Sequence, residues 1–467
     1  MKQDLERDLF AYQKEDADFM LRSSNVLCFS EMGTGKTPEA LQVIEKGGYK
    51  CPLIVCPNSL RLEWKRQILD WTDSEAAVST SDSYTKLKPI VDSFINGRKY
   101  KIINYETFRS KENLELLNMI PFDIIIFDEV HKLRNPKTKA VGGTWDFLNK
   151  HPEAKVIAMS GSPIMNYPND LYVPLTLVRP NEYPRTMMNW RTFMGRYCLW
   201  SDGRYGAYVY GSRNLEGLRA ETKDFIVRRT KKEVLPFLPD KYYRRSVLTM
   251  QKDQRELYDQ METELSILLD SGEPLSSSNV LSALTRLRQI NLDPKILGVT
   301  ASSAKTDYLI DLIESTDEKI VIFSCFEKYI FFLSKLFPKA VQITGERTVL
   351  QRAEAVKDFQ EKDEIQLCLG TIQSMGEGMT LTASSNVVLA DRWWNEPTNQ
   401  QAIDRLHRIG QKNAVQVMYP IVEESVDATL DSILERKDQA SQGYFSESRV
   451  KSGIFEERLH KVRTEAM

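Results

Sequence analysis

Two series of short apolar runs, each run followed by a helical pattern, constrain this 467-residue chain more than any other feature. The first series occupies 26–29, 52–57, 101–104, 123–127 and 155–159, and the second 319–323, 340–343, 365–369, 386–390 and 415–421. Runs this short read as strands, and the unbroken apolar stretch at 123–127 reads as a central parallel strand covered on both faces. Strands alternating with helices predict α/β architecture, here two doubly wound parallel sheets in tandem. The chain is too long for one core, so each series is expected to form its own domain. The expected division is a first domain over 1–234, a helical bridge with a protrusion over 235–300, a second domain over 301–440 and a polar tail over 441–467. Leu235-Pro-Phe-Leu-Pro239 is a stiff entrance to the bridge. Within the first domain the alternation breaks at 180–219, where aromatics, arginines and glycines read as an insertion.

Composition narrows the class. Hydrophobic residues make up 42% and charged residues 27%, as in ordinary globular proteins, and no apolar run approaches the ~20 residues of a membrane span. The charged start, Met1-Lys-Gln-Asp-Leu-Glu-Arg-Asp8, does not read as a secretion signal. The scattered Cys28, Cys51, Cys56, Cys198, Cys325 and Cys368 form no C-x-x-C pair. They read as buried thiols in a reducing compartment, cytoplasmic in a bacterial or phage-infected cell and nuclear in a eukaryotic one. A net charge of −2 gives no global basic field, so any nucleic acid must be met in a local cleft.

The run at 26–29 leads into Ser30-Glu-Met-Gly-Thr-Gly-Lys-Thr37, and a helical pattern opens at Lys36. Strand, glycine loop and helix N-terminus make a phosphate cradle, in which backbone N–H groups approach the anion and the helix dipole favours it. Met32, Gly33, Thr34 and Gly35 form the loop. Lys36 would reach the β/γ-phosphates and Thr37 would hold Mg²⁺. The strict pattern G-x-x-x-x-G-K-[ST] asks for glycine where this chain has Ser30; nucleotide binding is the favoured reading, with a turn that merely contains G-K-T as the alternative.

Asp128 and Glu129 follow the run at 123–127, at the strand end where open α/β sheets bind ligands. Asp128 there can hold Mg²⁺ and Glu129 can orient or deprotonate an attacking water. Two acids opening a helix would look the same. His131 nearby reads equally well as a cap or a surface residue. Ser160-Gly-Ser162-Pro follows the next run and reads either as a simple turn or as a link between a nucleotide site and a bound polymer. In the second half, Gly370–Gly378 reads as a strand ending in a glycine loop. Gln400-Gln-Ala-Ile-Asp-Arg-Leu-His-Arg-Ile-Gly-Gln411 reads as the opening of a helix. Arg405 and Arg408, at i and i+3, would share one helical face and could reach across a cleft as arginine fingers. A solvated basic face is the plainer alternative.

In order, Tyr12-Gln13, M-G-T-G-K-T, D-E-V-H-K-L-R-N, S-G-S-P, Arg228-Arg-Thr-Lys-Lys232, Leu287-Arg-Gln, Trp394-Asn and D-R-L-H-R-I-G-Q closely resemble one family. It is the Snf type (switch/sucrose-non-fermenting) of helicase superfamily two, and the resemblance runs from Tyr12 to Leu434. It implies two RecA-like domains that bind ATP between them and move along duplex DNA, mostly without separating strands. It also implies roles for single residues. Gln13 is similar to the glutamine that reads adenine. Lys36 and Thr37 match the phosphate-loop pair, and Asp128 and Glu129 match the Mg²⁺ and water-activating pair. Gly378 lies in the second domain's nucleotide-facing loop. Arg405 and Arg408 match the second-domain arginines, with Arg408 as the finger. Trp394, Ser160 and Ser162 resemble DNA-facing or coupling positions, as do Asn58, Tyr105 and Thr371 at strand ends. The insertion at 180–219 resembles the first protrusion and the helices at 254–290 the second.

Departures from the family pattern are mild: Ser30 replaces an acid, Thr34 a leucine, Val130 an alanine, and S-G-S-P stands for T-G-T-P. None removes a catalytic group. The protrusions are short and no chromatin-reading or zinc module accompanies them, which points to a minimal bacterial or phage member. The expected activity is DNA-stimulated ATP hydrolysis with duplex translocation, using ATP and Mg²⁺. A strand-separating or annealing helicase uses the same core. A clamp on DNA or polymerase that uses ATP only as a switch fits less well, because it does not need Glu129, Arg405 and Arg408 together. Protein partners and strand polarity are not written in the sequence.

Overall fold

The structure, a computed structural model, describes residues 9–72, 74–79, 84–97, 99–203, 206–270, 277–374, 379–432 and 434. Its first six strands are β1 Val26–Cys28, β2 Pro52–Cys56, β3 Ala76–Val78, β4 Tyr100–Asn104, β5 Ile124–Asp128 and β6 Lys155–Met159. An antiparallel hairpin, β7 Cys198–Gly203 and β8 Gly206–Ser212, stands apart as part of the insertion, and the chain then returns to the sheet as β9 Ile226–Val227. The first sheet is parallel throughout, in the order β3-β4-β2-β5-β6-β1-β9. Alternate residues of its strands enter two different cores. Leu27, Ile125 and Phe127 face one, and Val26, Cys28, Ile124 and Ile126 face the other. Helices on both faces cover these rows, which is why the runs lack polar alternation.

The second sheet has strands β10 Lys241–Leu248, β11 Ile320–Ser324, β12 Val341–Ile343, β13 Leu367–Thr371, β14 Asn386–Leu389 and β15 Val415–Val422. It too is parallel, in the order β10-β15-β14-β11-β13-β12, and is covered on both faces. Both domains are therefore doubly wound α/β units, as the sequence predicts. The helices Lys252–Asp270 and Ser277–Leu292 follow β10, with a small core of Met250, Tyr258, Leu287, Ile290 and Val422 at their base.

Three local expectations are corrected. Residues 241–248, assigned to the helical bridge, are an edge strand that pairs with β15 along its whole length. Most of its side chains are exposed, so no apolar run marks it, and only a distant partner strand makes it β. Glu106 to Leu117, whose sequence reads as one helix, splits into a 3₁₀ turn, Tyr105–Arg109, and the helix Lys111–Leu117. Ser110 causes the break, because its hydroxyl caps the second element by accepting from Asn113 N–H at 3.2 Å. The helix expected to open at Gln400 is already closing there: it spans Glu396–Ile403, and residues 404–410 are turns and bends. The glycine loop at 376–378, including Gly378, and the tail from 435 lie outside the described residues.

Candidate active site

The phosphate loop leaves β1, is pinned to the neighbouring strand β9, and enters the helix Lys36–Lys46. Phe29 N–H donates to Val227 C=O at 2.7 Å and Glu31 N–H to Arg229 C=O at 2.9 Å. Ser30 is fully buried, is absent from the positive-φ residues, and accepts from Arg229 N–H at 3.1 Å. A glycine is therefore not required at the position where the strict pattern asks for one. It is required at Gly35, where φ is 91° and a Cβ would lie 2.0 Å from Gln13 Nε2. That close approach lets Gln13 brace the loop: Nε2 donates to Thr34 C=O at 3.1 Å while Oε1 accepts from Phe10 N–H at 2.9 Å. Tyr12 donates to the same Thr34 carbonyl at 2.5 Å. Lys36 Nζ donates to the carbonyls of Ser30 and Glu31 at 2.8 and 3.0 Å. Met32 packs over Gly161, where a Cβ would lie 2.4 Å from Met32 Cγ. The S-G-S-P turn is thereby fixed to the loop.

Asp128 ends β5 and is 7% exposed. Its Oδ2 accepts from the Trp64 indole N–H at 2.8 Å, its Oδ1 from Glu129 N–H at 3.0 Å, and its carbonyl from the Tyr105 hydroxyl at 2.6 Å. A hydrogen bond to a buried charge is worth about 1.5–3 kcal/mol, so Trp64 orients the carboxylate. Glu129 has a left-handed backbone, φ 52°, the kind of strain that persists where the surroundings enforce it. Its Oε2 lies 3.1 Å from His131 Nδ1 and accepts from Ser160 Oγ at 3.3 Å. Burial pushes the Glu129 carboxyl up. The His131 hydrogen bond and the charges of His131, Lys36 and Arg405 outweigh it and hold the group below the usual carboxylate range. An ionised, oriented Glu129 is what a water-activating base requires.

The donor set fits a nucleotide with a hard divalent cation. The loop opens onto a helix N-terminus, whose N–H groups suit phosphate, and the Thr37 hydroxyl and Asp128 carboxylate offer the oxygen ligands that Mg²⁺ combines with phosphate and water.

The second domain completes the surroundings. Arg405 and Arg408 sit in the turns after Ile403, not on one helical face, yet both come close to the first domain. Arg405 is 4% exposed and its charge acts on Glu129. The Arg408 Cβ lies 3.4 Å from the point a Cβ on Gly33 would occupy, and its Nη1 donates to Met379 C=O at 3.1 Å. The turns hold because the Gln411 side-chain amide donates to the carbonyls of Ser384, Leu406 and Thr382 at 2.8, 3.2 and 3.3 Å. Ser162 Oγ accepts from Gln401 Nε2 at 3.3 Å, a direct link across the cleft.

Sequence reasoning missed Trp64, His131, Gln401 and Gly161 as parts of this constellation. The D-E-x-H spacing was the one signal, and it offered equal weight to a cap. Of the strand-end residues assigned to the polymer side, Asn58 is exposed and bonded to Arg61. Thr371 is 6% exposed and its hydroxyl accepts from Ser374 N–H at 3.2 Å. Trp394 is half-buried, with the Arg288 guanidinium 4.7 Å from its ring. Tyr105 differs from its assignment: it is 4% exposed and its hydroxyl supports Asp128 from below, because the 3₁₀ turn at 105–109 directs the ring into the core.

Tandem parallel sheets with a phosphate loop and acid pair on one and arginines on the other define a helicase-like ATPase. Residues 12–296 match the SNF2-related domain and residues 304–410 the helicase conserved C-terminal domain, so the chain belongs to the SNF2-related family. Among curated relatives it is 25% identical to the human DNA annealing helicase and endonuclease ZRANB3, over 94% of this chain and 40% of that protein. It is 27% identical to the Drosophila melanogaster SWI/SNF-related matrix-associated actin-dependent regulator of chromatin subfamily A-like protein 1, over 97% of this chain and 57% of that protein. A Mycoplasma genitalium ATP-dependent helicase of uncharacterised role is 25% identical over 88% of this chain and 39% of its own length. The chain thus spans about half the length of the curated relatives it matches. A solved SWI2/SNF2 ATPase core from Sulfolobus solfataricus, in complex with double-stranded DNA, aligns over 94% of both chains at 24% identity with a TM-score of 0.43. Among the described residues no helix is long and apolar enough to cross a membrane.

Proposed function

We propose that this protein is an ATP-dependent DNA translocase: DNA stimulates its ATP hydrolysis, and hydrolysis moves it along the duplex without obligatory strand separation. The observation that carries the reading is the approach of Arg405 and Arg408 to Glu129 and Gly33 from the opposite domain. A site assembled from two bodies links hydrolysis to their relative motion. Bound ATP with Mg²⁺ would supply the phosphoryl group and neutralise the charge that develops on it. Glu129, held ionised by His131, Lys36 and Arg405, would accept the proton of the attacking water. Lys36 would hold the phosphate end, and Thr37 and Asp128 would hold the cation. Arg405 and Arg408 stabilise the transition state and let go when the cleft opens.

The S-G-S-P turn supports coupling, since Ser160 touches the base while Ser162 touches Gln401 of the second domain. Asn58, Thr371 and Trp394, which follow strand ends on the same sheet edges, are the proposed contacts to the polymer. Phosphate contacts of this kind carry little sequence information and weaken steeply with salt. Similarity to ZRANB3, a DNA annealing helicase and endonuclease, supports a second reading, a strand-annealing or strand-separating helicase on the same core.

The test is ATPase activity with no polymer, single-stranded DNA, duplex DNA and RNA, run beside third-strand displacement and unwinding of a forked duplex. Duplex stimulation with triplex displacement and an intact fork is expected. Efficient fork unwinding moves the conclusion to a helicase, and no stimulation by DNA removes it. Glu129→Gln should lower turnover about 10²- to 10⁴-fold while nucleotide and DNA binding remain.

A further inference from the structure

Lys231 opens the short helix Lys231–Val234 at the end of the first domain, just after β9. It touches both halves of the site. Its backbone N–H donates to Glu31 Oε2 of the phosphate loop at 2.9 Å. Its stem runs past the loop, with Cε 3.6 Å from where a Cβ on Gly33 would lie, beside Arg408 Cβ at 3.4 Å from the same point. Its ammonium lies in the second domain, 2.9 Å from Asp404 Oδ1 and donating to His407 C=O at 2.7 Å. The side chain is 6% exposed and Asp404 14%. Asp404 and His407 are the residues immediately before Arg405 and Arg408. Within 404–410 the backbone turns back onto the helix Glu396–Ile403, with Asp404, Arg405, Leu406 and His407 N–H donating to Gln400, Ala402 and Ile403 C=O, and the Gln411 amide holds the turns from within the second domain. Lys231 adds a grip from the other domain at two points. Asp404 is also 3.3 Å from Lys241 on β10, which belongs to the second domain's own sheet. One carboxylate thus sits between a cation of its own domain and one of the other.

We propose that Lys231 is the positioning residue that sets Arg405 and Arg408 on the phosphate loop: it clamps the 404–407 segment through Asp404 and the His407 carbonyl, and reports the loop's position through Glu31. The chain Glu31–Lys231–Asp404 then runs from the phosphates to the fingers. Movement of the loop on nucleotide exchange is felt at the second-domain arginines before the domains part. Lys231 itself touches no reacting atom. This rests on the ATPase reading of the site and is independent of which polymer stimulates it.

The buried clamp makes a specific prediction for a charge-pair deletion, because removing Asp404 takes away the carboxylate paired with Lys231, while removing the Lys231 ammonium leaves Asp404 with Lys241 alone. Lys231→Met keeps the stem and removes the ammonium, and Asp404→Asn removes the carboxylate from the opposite side. Each is expected to lower turnover at least tenfold, measured with and without DNA, while the dissociation constant of fluorescently labelled ADP stays within threefold of the parent. Combining Lys231→Met with Arg405→Ala should cost little more than Arg405→Ala alone, because residues that act as a unit are not additive. Fluorophores on cysteines placed at the exposed Leu69 and Leu350 report cleft closure without turnover. Lys231→Met and Asp404→Asn should both shift the pair to greater separation. Thermal melting identifies a variant that does not fold, in which case the other partner decides. Unchanged turnover and unchanged separation in the folded variants overturn the proposal. So does a loss of turnover matched by an equal loss of ADP affinity, which would make Lys231 a nucleotide ligand. If DNA fails to stimulate the parent protein, the translocase reading falls, while basal turnover and the fluorophore distance still decide the role of Lys231.

Discussion

At the carboxyl edge of the first sheet, Asp128 and Glu129 are oriented from within their own domain, by Trp64, Tyr105, His131 and Ser160. At the second domain's face of the cleft, Arg405 and Arg408 sit on turns whose charged neighbour, Asp404, is paired to Lys231 of the other domain as well as to Lys241 of its own. The acids are thus held from within their own domain, while the turn that carries the arginines is held partly from the other. Burial opposes ionisation of Asp404, but the two lysines prevail and hold its carboxyl down to about 2. Lys231 has to share that single carboxylate, and burial takes its ammonium down to about 8. Hydrogen bonds from Trp64, Tyr105 and Ser160, with His131 beside Glu129, orient the acids, whereas a shared charge pair braces the turn that carries the arginines. Charge pairs of this sort can be exchanged as domains move, whereas a buried indole-to-carboxylate bond cannot.

The sharpest way to break this contrast is at the arginines. Arg405→Ala or Arg408→Ala should lower turnover about 10³-fold or more, the range associated with arginine fingers, with nucleotide binding nearly intact. A variant of either that keeps parental turnover in a steady-state assay removes that residue from the finger role. The effect at Trp64 should be smaller. Trp64→Phe retains the ring in the core and loses only the N–H to Asp128, so turnover should drop about tenfold, in line with one hydrogen bond to a charge. If the indole orients the cation ligand, the Mg²⁺ concentration that half-saturates labelled-nucleotide binding should rise as well. A turnover loss without that rise would assign Trp64 to packing. The smallest effect concerns pH. His407 donates from Nε2 to Pro239 C=O at 2.7 Å, and burial, with Lys231 beside it, lowers its pKa to about 4. The folded state thus keeps His407 neutral while the unfolded chain protonates it near 6.5. Stability from this residue is complete above pH 6.5 and declines as pH falls towards 4. Melting temperatures across that window should fall less steeply for His407→Gln than for the parent. An equal slope would place the acid sensitivity elsewhere.

Most of both sheets was legible because central parallel strands advertise themselves as unbroken apolar runs, and these runs matched β1, β2, β4, β5, β6 and β11–β15 to within two residues at their ends. The edge and accessory strands were not: β10 carries Tyr242, Tyr243, Arg244 and Arg245 with most side chains exposed, so its local pattern is that of a surface segment. In the site, Lys36, Thr37, Asp128 and Glu129 were readable from spacing after a strand. Arg405 and Arg408 were readable as a pair, but their i, i+3 spacing suggested a helical face that the chain does not form. The bend at Asp404 is stabilised by Lys231 and Lys241 and by the Gln411 amide, all contacts from outside the local period.

By itself the sequence determined the elements whose signal is local. These are the central strands, the glycine loop at their head, the acids at a strand end, and a second domain that supplies arginines. Local signals suffice there because side-chain periodicity and motif spacing are written within a few residues. Only the tertiary structure decided what holds those groups. Trp64 reaches Asp128 across 64 positions, Lys231 reaches His407 across 176, and Gln401 reaches Ser162 across 239. Such partners leave no period in the chain. The last two exist because two separately folded sheets present their edges to one another, and the first because a helix covers the edge of its own sheet.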